Sequence, residues 1–70
     1  MNWKEYEFIA YNIASKLKEK GVNIKIITRS SIYPLNKGIC YNGVEHYLKT
    51  WESVYNILYY MNKVLSEKEE

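Results

Sequence analysis

The chain has 70 residues, enough for one domain, and its formal net charge at pH 7 is only +2. A chain this short buries a modest share of its surface, and proteins of this size usually gain stability from disulfides, a metal or oligomerisation. The single Cys40 excludes an intramolecular disulfide, and one Cys with one His does not complete a structural zinc site. Oligomerisation therefore remains the expected route to extra stability.

The sequence gives no sign of export or of a membrane anchor. Its first residues, Met-Asn-Trp-Lys-Glu, do not follow the pattern of a secretory signal peptide. No apolar run approaches the roughly 20 residues that a membrane-spanning helix needs. We therefore expect a soluble protein in the cytoplasm, a reducing compartment, with no membrane partner.

The first predicted element is a helix over residues 3–20. Asn2 is a good N-cap, and Glu5 follows at the capping-box position. Gly21 stands where a helix ends in a left-handed conformation. Apolar residues recur at helical spacing within one stripe of this segment: Trp3, Tyr6, Ile9, Ala10, Ile13, Ala14 and Leu17.

Three strands are predicted next. Residues 22–29 alternate and are rich in β-branched side chains, which indicates a strand with one buried face. Residues 30–37 contain Pro34 and form a connection. Residues 39–41 and 44–47 flank Asn42-Gly43, the signature of a hairpin with a type I′ turn. That turn places Tyr41 opposite Val44. The same register places Cys40 opposite Glu45 and Ile39 opposite His46.

The last predicted element is a helix that Thr50 caps and that runs to about Leu65. Apolar residues recur along it at spacings of three and four, and two more widen the stripe: Trp51, Val54, Leu58, Met61 and Leu65, with Tyr55 and Ile57. Acidic residues at the negative end of a helix dipole are unfavourable, so the tail at 67–70 is expected to fray from a domain spanning residues 1–66. The order helix, strand, strand, strand, helix predicts an α+β fold. The simplest packing places both helices on one face of a three-stranded antiparallel sheet.

This element order resembles that of double-stranded-RNA-binding domains, at a similar length. That family usually carries a Lys-Lys-x-Ala-Lys run at the start of its last helix, where this chain has Lys49-Thr-Trp-Glu-Ser. The family's Gly-Pro-x-His loop is not matched by Tyr33-Pro-Leu-Asn either. The resemblance is one of topology, and it assigns no RNA-contacting residue to this chain.

Few residues in this sequence are candidates for catalysis. Cys40 and His46 are the only pair that resembles a nucleophile and a base, and these groups must lie within hydrogen-bonding reach. The hairpin register places them on opposite faces of the sheet. Neither a phosphate-binding glycine loop nor a paired-carboxylate arrangement is present. We therefore expect no enzymatic activity, no metal site and no cofactor.

Two surfaces are candidates for binding. The middle of the chain is basic, and a cationic sheet face beside an aromatic ring could bind nucleic acid or a nucleotide. The alternative is that these cations only solvate the open face, where Glu45 lowers the potential. The candidate anion-binding residues are Lys25, Arg29, Lys37 and Tyr47.

The second candidate surface is apolar. Two large residues on the outer side of each helix suggest a patch that binds protein, unless each ring lies flat on its own helix. The candidate interface residues are Phe8, Tyr11, Tyr33, Tyr60 and Val64.

The preferred hypothesis is a non-catalytic protein-binding module, acting as a homodimer or as an inhibitor-like subunit of a larger complex. Small size and a high Tyr content, rather than any motif, suggest a phage or mobile-element product that inhibits a host factor. The alternative is nucleic-acid or nucleotide binding on the basic sheet face.

Overall fold

The structure is a computed structural model that describes residues 2–29 and 36–68. Its elements are α1 (Trp3–Glu19), β1 (Ile24–Thr28), β2 (Lys37–Tyr41), β3 (Val44–Leu48) and α2 (Trp51–Lys68). The strands form one antiparallel sheet in the order β1-β2-β3, and α1 contacts β1 while α2 contacts β2 and β3. The predicted α+β fold is confirmed.

Both ends of α1 are closed by local hydrogen bonds. The Asn2 side chain accepts a bond from the Glu5 amide at 3.1 Å, as the capping pattern predicts. At the other end the Val22 amide donates to the Leu17 carbonyl, and Gly21 adopts a φ of +91°. These two features form the glycine-terminated cap predicted for this helix, which ends one residue earlier than expected.

The hairpin has the predicted turn and register. Asn42 and Gly43 both have positive φ, at 50° and 84°, as a type I′ turn requires. Tyr41 pairs with Val44, and the rest of the predicted ladder follows. The strand limits differ from those predicted, because β1 spans only 24–28 and β2 already begins at residue 37. The predicted connection thus ends one residue earlier, and its positions 30–35 lie outside the described residues.

The core lies between the two helices and the sheet face that carries Ile24 and Ile39. It consists of nine buried residues: Ala10, Ile13, Ala14, Leu17, Ile24, Ile39, Trp51, Val54 and Leu58. The helices also contact each other outside this cluster, where the rings of Tyr6 and Tyr55 lie 5.3 Å apart. The buried helical residues all belong to the two predicted apolar stripes, but Trp3 of the first stripe and Ile57 of the second are exposed.

The end of α2 was predicted wrongly. Its start is as expected, since the Thr50 hydroxyl accepts a hydrogen bond from the Ser53 amide at 3.1 Å. The helix continues to Lys68 instead of ending near Leu65. Lys20 Nζ, at the end of α1, lies 3.2 Å from Asn62 Oδ1 and 3.3 Å from the Ser66 hydroxyl. These tertiary contacts support the last turns of α2, which propensity and charge alone do not favour.

Gly38 is the glycine with the tightest surroundings in the sheet. It is buried in β2, and a Cβ at this position would collide with the backbone carbonyl of His46 in β3. We expect Gly38→Ala to destabilise the fold by about 3 kcal/mol, the upper end of typical overpacking costs. Urea unfolding followed by far-UV circular dichroism measures the change.

The matched control is Gly21→Ala. Gly21 has open space around its Cα, so only its positive φ opposes a side chain, at a cost of about 1–2 kcal/mol. Equal losses in the two variants would contradict a steric role for Gly38.

Candidate functional site

The sheet face that points away from the helices carries a closed polar cluster of Arg29, Glu45 and Tyr47. The Arg29 Nη2 donates to Glu45 Oε2 at 2.9 Å, and the Tyr47 hydroxyl donates to Glu45 Oε1 at 2.7 Å. Arg29 Nε donates to the Tyr47 hydroxyl oxygen and completes the ring of contacts. The cationic and aromatic groups predicted to receive an anion are therefore engaged with a carboxylate of the same chain.

The electrostatics of this cluster are consistent with its geometry. The hydrogen bonds from Tyr47 and Arg29 hold the pKa of Glu45 below its ordinary value. The hydrogen bond to Glu45 raises the pKa of the Tyr47 phenol. Glu45 likewise raises the pKa of Arg29. Arg29 and Glu45 are solvent-exposed and Tyr47 is half-buried, so the cluster orients side chains more than it stabilises the fold.

The remaining anion-binding candidates lie on different faces of the sheet. Lys25 pairs with Cys40 and shares the outer face with Glu45. Lys37 pairs with Thr28 in a register that places it on the helix-covered face. Its Nζ donates to Asn36 Oδ1 at 2.7 Å and to the Lys49 carbonyl at 3.1 Å. The structure therefore does not gather the four predicted residues into one site.

Cys40 and His46 lie on opposite faces of the sheet, as the predicted register requires. Cys40 pairs with Glu45 on the outer face, whereas His46 pairs with Ile39 on the face that carries the core. Among the residues that the structure describes, no group of three His, Cys, Asp or Glu side chains is placed to hold a metal ion.

The predicted interface residues on α1 occupy two separate environments. Phe8 is 71% exposed and lies in a shallow hollow with Asn2, Lys4, Glu5 and Ile9. The Tyr11 ring packs against the Trp51 ring with centroids 5.9 Å apart. Tyr33, the loop candidate, lies outside the described residues.

The candidates on α2 line a depression that adjoins a larger hollow over the sheet. Tyr60 and Val64 line a depression of about 240 Å³, together with Tyr41 and Met61. Tyr41 and Met61 also line a second hollow of about 640 Å³, so the two hollows adjoin at these side chains. We call the whole depression the α2–β3 groove. The larger hollow is lined by Ile39, Tyr41, His46, Tyr47, Leu48, Ile57 and Met61.

The groove exists because α2 does not fully cover the third strand. Val44 points to the helix-covered face but is 57% exposed, and His46 on the same face is exposed as well. On the opposite wall, Ile57 is an exposed apolar residue of α2. The result is an open apolar trough between one flank of α2 and the inner face of β3.

Helical spacing predicts Ile57 and Met61 as members of the apolar stripe of the last helix, and the hairpin register predicts Tyr41 on the face that carries His46. Neither pattern predicts a groove between them. A usable signal was the position of Val44 and His46 at the far edge of the sheet. Inward residues on an edge strand stay open to solvent when the nearest helix lies towards the neighbouring strand.

Comparisons with protein-family models, with curated proteins and with solved structures gave no match. In the part of the chain that the structure describes, no helix is both long enough and apolar enough to cross a membrane.

The polar cluster predicts a measurable effect of the Tyr47 hydroxyl on the pKa of Glu45. Tyr47→Phe removes the hydroxyl that contributes most to lowering the pKa of Glu45, so that pKa should rise towards its ordinary value. When folding lowers the pKa of a carboxylate, the ionised group stabilises the folded protein at pH values above its unfolded-state pKa, about 4.3. This contribution is lost as the pH falls through the folded-state pKa. The variant should therefore lose less stability than the wild type between pH 7 and pH 3.

Carboxyl NMR titration measures the pKa directly, and urea unfolding at the two pH values measures the stability. Tyr59→Phe, which removes an exposed hydroxyl on α2, is the control. A Glu45 pKa that is the same in Tyr47→Phe and in wild type would contradict the hydrogen-bonded cluster.

Proposed function

We propose that this protein has no catalytic activity of its own and acts in the cytoplasm by binding another protein chain in the α2–β3 groove. The observation that most supports this proposal is that the groove reaches Tyr60, which is exposed, and Val64, which is half-buried, on the outer side of α2. Contiguous exposed apolar surface on a small protein usually marks a protein–protein contact.

The shape and lining of the groove favour a polypeptide over a small ligand. Small-molecule sites enclose most of the ligand surface, whereas this trough is open along one side of the molecule. It extends along α2 from Ile57 to Val64, with Leu48 on the opposite wall. Tyr and Met, which occur in its walls, are enriched in protein interfaces, and Met adapts its shape to a partner.

Anion binding on the outer sheet face has less support. The charge of Arg29 is neutralised by Glu45 at 2.9 Å, and Lys37 lies on the other face. Lys25 alone remains beside the cluster. A nucleic-acid site would need several cations directed at one strand of phosphates.

A pair of lysine substitutions tests the groove. Ile57→Lys places a charge in its wall, and Phe8→Lys makes the same kind of change at an exposed apolar residue of α1 outside it. We expect the polypeptide retained by the wild type to be retained equally by Phe8→Lys and to be reduced at least tenfold in Ile57→Lys. Native mass spectrometry of protein gently purified from the producing cells, at low salt, measures the retained mass.

Far-UV circular dichroism and the urea midpoint check that both variants fold. Retention lost in Phe8→Lys but kept in Ile57→Lys would place the interface on α1 and refute the groove. A retained oligonucleotide or nucleotide mass, removed by Lys25→Glu with Arg29→Glu, would refute protein binding in favour of the basic face.

A further inference from the structure

We infer that the chain bound in the α2–β3 groove is a second copy of this protein, joined by antiparallel pairing of the two β3 strands about a two-fold axis at His46. This inference rests on the proposed function and specifies its partner. It is carried by the free edge of β3, by the direction of its backbone groups and by the position of α2 above the sheet.

In the described part of the chain, the edge of β3 is open and lacks the usual protection against strand pairing. Within residues 2–29 and 36–68, β3 is paired on one side only, with β2. Natural edge strands are commonly guarded by Lys, Pro or a bulge. β3 reads Val-Glu-His-Tyr-Leu and pairs with β2 in an unbroken register, and its one acid, Glu45, is neutralised by Arg29. The opposite edge strand, β1, carries Lys25.

The backbone hydrogen bonds show which groups of β3 face the free edge. The Asn42 amide bonds to the Asn23 carbonyl, and the Arg29 amide bonds to the Asn36 carbonyl. Even-numbered residues of β2 therefore direct their backbone groups to β1, and odd-numbered ones direct theirs to β3. Applied to the β2–β3 register, this leaves the N–H and C=O groups of Glu45 and Tyr47 pointing to the open edge.

Those outward groups restrict the register of a symmetric pair. An axis at His46 sets Glu45 opposite Tyr47 of the other copy, so all four outward residues exchange hydrogen bonds and both five-residue strands pair along their full length. An axis at Glu45 would shorten the pairing and set two carboxylates opposite each other, which is unfavourable. An axis at Tyr47 would extend the pairing into Thr50, which caps α2.

The same symmetry fills the groove. Because α2 contacts both β2 and β3, its axis lies above the region between them. With strands about 4.8 Å apart, the two α2 helices would run about 10 Å from each other, at the upper end of the 8–10 Å over which packed helices interdigitate. The Ile57 and Met61 walls of the two copies would then face each other above a continuous six-stranded sheet.

Interface size also favours this arrangement over edge pairing alone. A stable interface buries about 800 Å² on each partner, more than the edge of a five-residue strand supplies. The helical wall of the groove adds the second layer. Val44 would lie opposite Leu48 of the other copy, so the two apolar ends of β3 cover each other.

An engineered disulfide tests the register. At the axis, His46 would be a non-hydrogen-bonded antiparallel pair with Cα atoms about 4.5 Å apart, within the disulfide range of about 4.4–6.8 Å. In a Cys40→Ala background, His46→Cys should form a covalent dimer under mild oxidation. Val44→Cys in the same background is the control. In the dimer Val44 lies opposite Leu48 of the other copy, so the two substituted positions would be four residues apart along the strand, roughly 14 Å.

The wild-type chain of 70 residues should sediment as a dimer at micromolar concentration. His46→Lys places two ammonium groups at the axis and should weaken dimerisation at least tenfold. Non-reducing electrophoresis and analytical ultracentrifugation provide the measurements, with the urea midpoint as a check on folding. A monomeric wild type overturns the inference. Cross-linking of Val44→Cys as fast as that of His46→Cys, or a dimer unaffected by His46→Lys, overturns it as well.

These results separate the inference from the proposed function. A monomer in purified form that still retains a different polypeptide, and loses it in Ile57→Lys, refutes self-association but leaves the groove as a protein-binding site. Loss of both self-association and groove-dependent retention refutes the two together.

Discussion

The two-residue turn at Asn42-Gly43 fixes the register of the hairpin, and the remaining surface features depend on that register. A slip of one residue would move every side chain of β3 to the other face of the sheet. With the observed pairing, Glu45 meets Arg29 on the outer face, while His46 lies on the side of the helices. One turn thus decides the composition of both the polar cluster and the groove.

A second constraint is the unequal cover that two helices provide for three strands. The buried residues lie beneath the helix pair and reach the sheet at Ile24 and Ile39, while α2 covers the inner face of β3 only in part. Extending the helical cover would need a third element, which the described part of the chain does not supply. The groove is therefore a consequence of placing two helices over three strands, and its apolar lining is the part of the inner face that those helices leave open.

The sequence predicted the fold well because its local signals agree with its tertiary structure. Caps at Asn2 and Thr50, the glycine at 21 and the Asn42-Gly43 turn each determine a boundary through short-range interactions. The end of α2 was missed because its support comes from Lys20, more than forty residues away. The groove was missed for a related reason. Helical spacing identifies Ile57 as near the core, but only the position of the helix above the sheet decides whether it is covered.

The pairing of α1 with α2 has a consequence for the order in which the protein is made. Helix α1 leaves the ribosome before α2, the helix against which it packs, and the two are joined by the Tyr6–Tyr55 ring contact and by the Lys20 contacts. Until α2 has been synthesised, the apolar stripe of α1 has no helical partner, and the hairpin emerges before its cover exists. Folding of the nascent chain is thus delayed, and its exposed stripe is a surface that chaperones recognise.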